Sequence, residues 1–135
     1  MTNQEAFDKV IEHLIGQKWT KASQDGRCMY RSCDGSKCAV GAIIPDDEYT
    51  SGLEGEDVYG IFGSVPSFDE LDVELLSRMQ GLHDDGLPSK EMTAMIDYNF
   101  EDHFKNNVFQ ILKNIALDYK LEFKYKTKEE LFPWN

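Results

Sequence analysis

The sequence predicts an α+β domain, mainly helical, with about four helices around a buried central segment and a small two- or three-stranded sheet. Three observations predict it. Apolar residues recur every three or four positions within residues 6–15, 71–82 and 92–116, the period of a helix that buries one face. Residues 27–32 and 119–125 instead alternate, the period of a half-buried strand. Residues 38–44, Cys-Ala-Val-Gly-Ala-Ile-Ile, form the most apolar run in the chain, and the other elements need something to pack on. A chain of 135 residues is long enough to bury one core without metal or disulfide staples. The organisation expected is one globular domain over residues 1–126 and a C-terminal tail over 127–135.

Thr2-Asn3-Gln4-Glu5 has the spacing of a capping box, which satisfies backbone donors at a helix start. The helix it opens carries Ala6, Phe7, Val10, Ile11, Leu14 and Ile15 inward and leaves His13 at the surface. Gly16 offers a left-handed residue to end it. Asp25-Gly26 turns the chain into the first strand, and Asp34-Gly35 reverses it as a hairpin loop does. Residues 37–44 read as a short buried helix, or else as the returning strand. In the helical reading, Ala39, Gly41 and Ala42 allow close backbone approach. Pro45 ends the run, because a residue before proline is pushed out of the helical region.

Residues 46–63 read as a loop with at most a short helix at 56–62. Ser67-Phe68-Asp69-Glu70 has a second capping-box spacing, opening a helix that turns Leu71, Leu75, Leu76, Met79 and Leu82 inward. His83-Asp84-Asp85-Gly86 reads as a loop, and Pro88-Ser89 as a helix restart. Met92, Met95, Ile96, Phe100 and Phe104, then Val108, Ile111, Leu112, Ile115 and Ala116, continue the pattern, with Asn106-Asn107 as a possible break. The tail places Leu131, Phe132 and Trp134 where they either cap the core or touch a partner.

The formal charge of -11 argues against binding nucleic acid, which needs basic surface to neutralise phosphates. The charge is unevenly spread: sixteen acids and two basic residues lie between Asp46 and Asp102, a balance of -14. Either these acids coat the solvent faces of helices, or they gather into one negative field. No segment resembles a signal peptide and no apolar run is long enough to cross a membrane, so a cytoplasmic protein is expected. The oligomeric expectation is a monomer or a homodimer.

Chemistry-bearing residues are few. Cys28, Cys33 and Cys38 are spaced C-x4-C-x4-C, wider than the close pairs that hold structural zinc. A zinc-stabilised module is therefore a weak alternative, and no metal or cofactor is expected. Cys38 opens the short buried helix, where a helix dipole lowers a thiol's pKa. His83 and Asp84 would supply a base and its orienting acid, so a thiol-dependent enzyme using Cys38, His83 and Asp84 is the second alternative. Asp46, Asp47 and Glu48, or Asp84 and Asp85, suit a hard cation by charge, but the spacing of a calcium loop is absent. No phosphate loop, dinucleotide fingerprint or nucleophile elbow occurs.

The run M-Y-R-S-C-D-G-S-K-C-A-V-G-A-I-I-P-D-D-E-Y, with L-E-G after it and L-L-S-R-M-Q-G-L-H-D later, resembles a family of small bacteriophage and prophage proteins of unassigned activity. The resemblance rests on Tyr30-Arg31, Gly35, Lys37 to Gly41, Ile44-Pro45-Asp46, Tyr49, Glu54-Gly55 and His83-Asp84. It covers about residues 7–121; Cys33 and the extension at 124–135 depart from it. It implies a viral origin and a bacterial cytoplasm. With the acidic middle, it makes the leading expectation a non-enzymatic protein of anti-defence or DNA-mimic type. Such a protein binds a basic surface on a host protein, and a nucleic-acid-binding protein is the kind of host partner expected. The residues expected to carry that contact are Asp46, Asp47, Glu48, Glu54, Glu56, Asp57, Asp69, Glu70, Asp72 and Glu74.

Overall fold

A computed structural model describes residues 1–24, 27–86 and 98–133 and shows a mainly helical protein. The first helix, α1, spans Asn3–Gly16. Thr2 caps it reciprocally: its hydroxyl accepts the Glu5 N–H and the Glu5 carboxylate accepts the Thr2 N–H, each at 3.1 Å. The buried face is Ala6, Phe7, Val10, Ile11 and Leu14. Gly16 does not supply the left-handed exit expected of it; Lys18 and Trp19 take that conformation instead, at φ 57° and 55°. A left-handed non-glycine residue costs roughly 1–2 kcal/mol. The exit delivers Trp19 into full burial, where removing such a side chain typically costs about 3–5 kcal/mol.

Two short ladders follow. Ser23–Gln24 (β1) pairs antiparallel with Arg27–Cys28 (β2), and a single bridge joins Arg31 to Lys37. The hairpin between these two residues is built around Asp34, as the Asp-Gly signal predicts. Its carboxylate accepts the Ser36 N–H at 3.0 Å, the Ser36 hydroxyl at 2.6 Å and the Ser32 hydroxyl, and Gly35 takes φ 88°. The expected strand over 27–32 is thus cut to two residues, because the chain turns to the hairpin before a longer ladder can form.

Residues 39–43 form a turn and one 3-10 turn, not a returning strand. The Ala42 N–H reaches the Cys38 carbonyl at 3.0 Å, and Gly41–Ile43 closes as a 3-10 turn against α1. Gly41 is required there, since a Cβ at that position would lie 2.0 Å from the Tyr30 carbonyl oxygen. A 3-10 turn at Ser51–Leu53 leads to α2, Val58–Phe62, which Asp57 caps through the Gly60 N–H at 2.8 Å.

The second capping box does not form. Pro66–Phe68 is a 3-10 turn whose Ser67 N–H and hydroxyl go to Glu48, and α3 begins later, at Val73–Gly81, with Asp72 as its cap. The inward residues are nonetheless those expected: Leu71, Leu75, Leu76, Met79 and Leu82 are buried. The presumed loop after α3 is a π-helical turn, Leu82–Gly86. The expected turn at Asp25-Gly26 and the stretch with Pro88, Met92, Met95 and Ile96 lie outside the described residues.

The long helix α4, Tyr98–Asp118, runs unbroken through Asn106-Asn107. After Lys120, at φ 55°, residues 121–126 form no helix, and their burial alternates with the period of extended backbone: Leu121, Phe123 and Tyr125 are half-buried and the residues between them exposed. The alternation expected of a strand is present, but the segment pairs with no other strand among the described residues. Its half-buried side lies on helices: Phe123 meets Phe7 of α1 at 6.2 Å and Phe109 of α4 at 5.5 Å. Apolar surface on two helices does the covering that a second strand was expected to do.

The tail also folds. Lys128–Leu131 forms α5, Leu131 and Phe132 are buried, and Phe132 lies 5.5 Å from Trp19 and 5.9 Å from Phe104. The Trp19 indole N–H donates to the Leu131 carbonyl at 2.7 Å, joining residues 112 positions apart.

Candidate functional site

The densest grouping of chemistry-bearing side chains gathers where the π-helical turn meets the central segment. The turn places His83 at full burial and Asp84 at its edge. The Ala22 N–H donates to His83 Nε2 at 2.9 Å, so Nδ1 carries the ring proton and donates it to Asp84 Oδ1 at 2.8 Å. The same carboxylate oxygen accepts from Gln80 Nε2 at 2.8 Å, and Gln80 Oε1 accepts the Val40 N–H at 3.0 Å. One carboxylate and two side chains thereby tie the loop before β1, the central segment and α3 together.

Cys28, His83 and Asp84 offer ligand atoms that all lie within 4.8 Å of one another. The hydrogen bonding argues against a metal there. A ligating histidine turns an unprotonated nitrogen to the ion, and here one nitrogen holds a backbone N–H while the other is protonated and given to Asp84. Burial, then the negative charge of Asp84, push the Cys28 thiol above its ordinary pKa, the opposite of what a thiolate ligand needs. The three cysteines do not converge: Cys28 and Cys33 are exposed, Cys38 is buried, and no metal-sized cluster among the described residues contains two of them.

The Cys-His pair is likewise not assembled. Cys38 is fully buried, and its sulfur accepts the Gly41 N–H at 3.2 Å inside the turn it opens. Burial raises its pKa far above the ordinary thiol value, outweighing the opposing effect of the Gly41 hydrogen bond. No hydrogen bond joins it to His83, whose nitrogens are both engaged elsewhere. A one-turn 3-10 segment in the core carries too small a dipole to offset that desolvation.

A second node surrounds Glu54. Its carboxylate accepts the Tyr30 N–H at 2.8 Å, the Arg31 N–H at 3.0 Å and the Tyr49 hydroxyl at 2.6 Å. Burial, then that hydrogen bond, hold the Tyr49 hydroxyl up at about 12. Arg31 lies over the Tyr49 ring at 4.6 Å, donates to the Ile44 carbonyl at 2.7 Å and pairs with Asp46 at 2.9 Å. Tyr30, Arg31, Ile44, Asp46, Tyr49 and Glu54 therefore meet in one hydrogen-bonded node.

The ten carboxylates expected to face a partner divide by what they do inside the molecule. Glu48, Glu54, Asp57 and Asp72 bind backbone N–H groups of this chain, two of them as helix caps. Asp46 pairs with Arg31, and Glu70 lies 3.6 Å from the terminal amine of Met1. Asp47, Glu56, Asp69 and Glu74 are exposed and make no side-chain hydrogen bond or ion pair among the described residues. Tyr59, on α2 just after Glu56 and Asp57, is 57% exposed, and α2 packs on α3.

Sequence reasoning missed the glutamines. Gln17 binds both the N–H and the carbonyl of Lys37, at 2.9 and 2.8 Å, and His13 Nε2 shares that carbonyl at 3.1 Å, so His13 is half-buried and not a surface side chain. Gln80 had a signal: it sits four residues after Leu76 on the apolar stripe of α3, where an amide must find a buried partner. Gln17, just past a helix end, had none. No family model matches the chain, and no curated protein or solved structure matches it.

Proposed function

We propose that this is a non-catalytic, phage-type accessory protein that binds and modulates a basic surface on a host protein through its exposed acidic side. The observation that carries the reading is Tyr59, exposed on α2 beside Glu56 and Asp57, with Asp69 and Glu74 flanking the start of the helix that α2 packs on. An aromatic anchor amid unpaired charge is the composition of a binding hot spot, and the negative field steers a basic partner toward it. The two internal nodes support the same reading, because their titratable groups are committed to holding the chain together. The resemblance to phage proteins supports a host protein as the partner, and an anti-defence or DNA-mimic role follows from the sign of the charge. No helix among the described residues is long and apolar enough to cross a membrane.

The test is capture from bacterial lysate followed by titration of the purified partner. Tyr59→Ala should weaken binding about tenfold or more, and reversal of Glu56 and Asp69 to Lys should weaken it further and flatten its salt dependence. Binding indifferent to salt and to all three substitutions would remove the proposal.

A further inference from the structure

The extended segment 121–126 has one satisfied edge and one open edge. In extended backbone the N–H and carbonyl of one residue point to the same side, and those of the next residue point to the other. Glu122 directs both groups to Gln4 of α1: its N–H donates to Gln4 Oε1 at 2.7 Å and its carbonyl accepts from Gln4 Nε2 at 3.0 Å. Phe123 and Tyr125 therefore face the opposite way, and their backbone groups have no hydrogen-bond partner among the described residues. Beside the segment lies an open groove of about 380 Å³ lined by Phe109 and Leu117 of α4 with Phe123 and Tyr125, and rimmed by Lys113 and Lys126. Leu117 is 68% exposed, the most exposed large apolar side chain described. An unpaired strand edge bordered by apolar surface is a template for strand addition.

We infer that the occupant is a second copy of this chain, joined by antiparallel pairing of 121–126 with the same segment of its partner about a two-fold axis at Lys124. In that register the sequence Leu-Glu-Phe-Lys-Tyr-Lys is self-complementary and both open residues, Phe123 and Tyr125, fall in hydrogen-bonded pairs. Phe123 stands opposite Tyr125 of the other copy, and these are the residues with backbone groups to exchange. The two-fold axis repeats that pair, giving four new hydrogen bonds. Glu122 stands opposite Lys126 of the other copy, an opposite-charge pair, and neither side chain makes an ion pair within its own chain. Lys124 meets its own copy, where like charge would repel, and each Lys124 is already paired with Glu12 at 3.2 Å. The aromatic side chains added at this edge would cover the groove beside Leu117.

The experiment is sedimentation equilibrium over about 1 μM to about 1 mM protein, on the full chain and on charge variants. Dimerisation is expected to strengthen with concentration. Glu122→Lys or Lys126→Glu alone places like charges opposite each other twice, and should raise Kd about tenfold or more. The double variant, Glu122→Lys with Lys126→Glu, rebuilds both pairs in reverse and should return Kd to within about threefold of the original. Lys124→Cys puts two thiols across a non-hydrogen-bonded pair, about 4.5 Å apart at Cα, within reach of a disulfide. Oxidation should therefore link position 124 to 124, identified by peptide mapping. A chain that stays monomeric throughout, a double variant as weak as the single ones, or a dimer that does not cross-link at 124 would each overturn the inference.

Discussion

Gln4 and Glu122, 118 positions apart, hold each other through two hydrogen bonds, the carboxamide of one serving the backbone of the other as a neighbouring strand would. Gln17 does the same for Lys37, and Gln80 serves the N–H of Val40. Side-chain amides thus satisfy backbone groups that no ladder reaches, in a protein whose β1–β2 ladder is two residues long.

Replacing Gln4 with Leu should remove both bonds to Glu122 while keeping the side-chain bulk. Two neutral hydrogen bonds at a partly exposed site contribute about 1–2 kcal/mol together, a fall of roughly 3–8 °C in Tm. Amide exchange should quicken at Glu122 and leave the α3 amides unchanged. Unaltered exchange at Glu122 would show that the segment is held by its aromatic side chains alone.

Gly41→Ala should be among the most damaging small substitutions. The added methyl meets a carbonyl oxygen of the backbone and cannot rotate away. A cost of about 3 kcal/mol is expected, the upper end for overpacking, read by urea denaturation. Gly63→Ala is the control, since nothing lies within 4 Å of its Cβ position. Equal stability of the two variants would contradict the close approach to Tyr30.

The three thiols should separate by reactivity. At neutral pH Cys33 and Cys28 should label in the native state, Cys28 the slower because burial and Asp84 raise its pKa. Cys38 should label only as fast as the protein opens, because it is buried and its pKa is raised still further. Mass spectrometry of a labelling time course reads all three. Native-state labelling of Cys38 at the rate of Cys33 would reverse the assignment and restore a nucleophilic role.

His13 should make stability depend on pH on the acid side. Burial holds its pKa below the ordinary value near 6.5, against the opposing hydrogen bond to the Lys37 carbonyl. The unfolded chain therefore takes up a proton that the folded one resists. The stabilisation is fully present above about pH 6.5 and is lost as pH falls through that value toward the folded pKa. His13→Gln removes this titration, so between about pH 7 and about pH 5 its stability should fall less steeply than that of the wild type. Parallel curves would show that His13 titrates as it does in the unfolded chain.

Features with a local cause were legible in the sequence. The Thr2 capping box, the Asp34-Gly35 hairpin and the apolar stripes of α1, α3 and α4 depend on residues a few positions apart. Where a distant residue competes for the same group, local reading failed. Ser67 has the spacing of a helix cap, but Glu48 takes its N–H and hydroxyl, so the cap passes to Asp72. Residues 119–125 have the period of a strand, which specifies extended backbone and one apolar side but says nothing of what covers it. For the candidate site, His83 with Asp84 was legible as a pair. Its commitment to Ala22 and Gln80 was not, because those contacts span the fold.

The bond from Trp19 to the Leu131 carbonyl has a consequence for how the protein is made. A ribosome emits residue 19 long before residue 131, so the indole waits without its cover while more than a hundred residues are synthesised. During that interval the nascent chain displays a large aromatic surface that chaperones recognise and that aggregation exploits. Closure of the core is therefore a late event, and a transcript cut short ahead of codon 128 would yield a chain held permanently in that exposed, degradable condition.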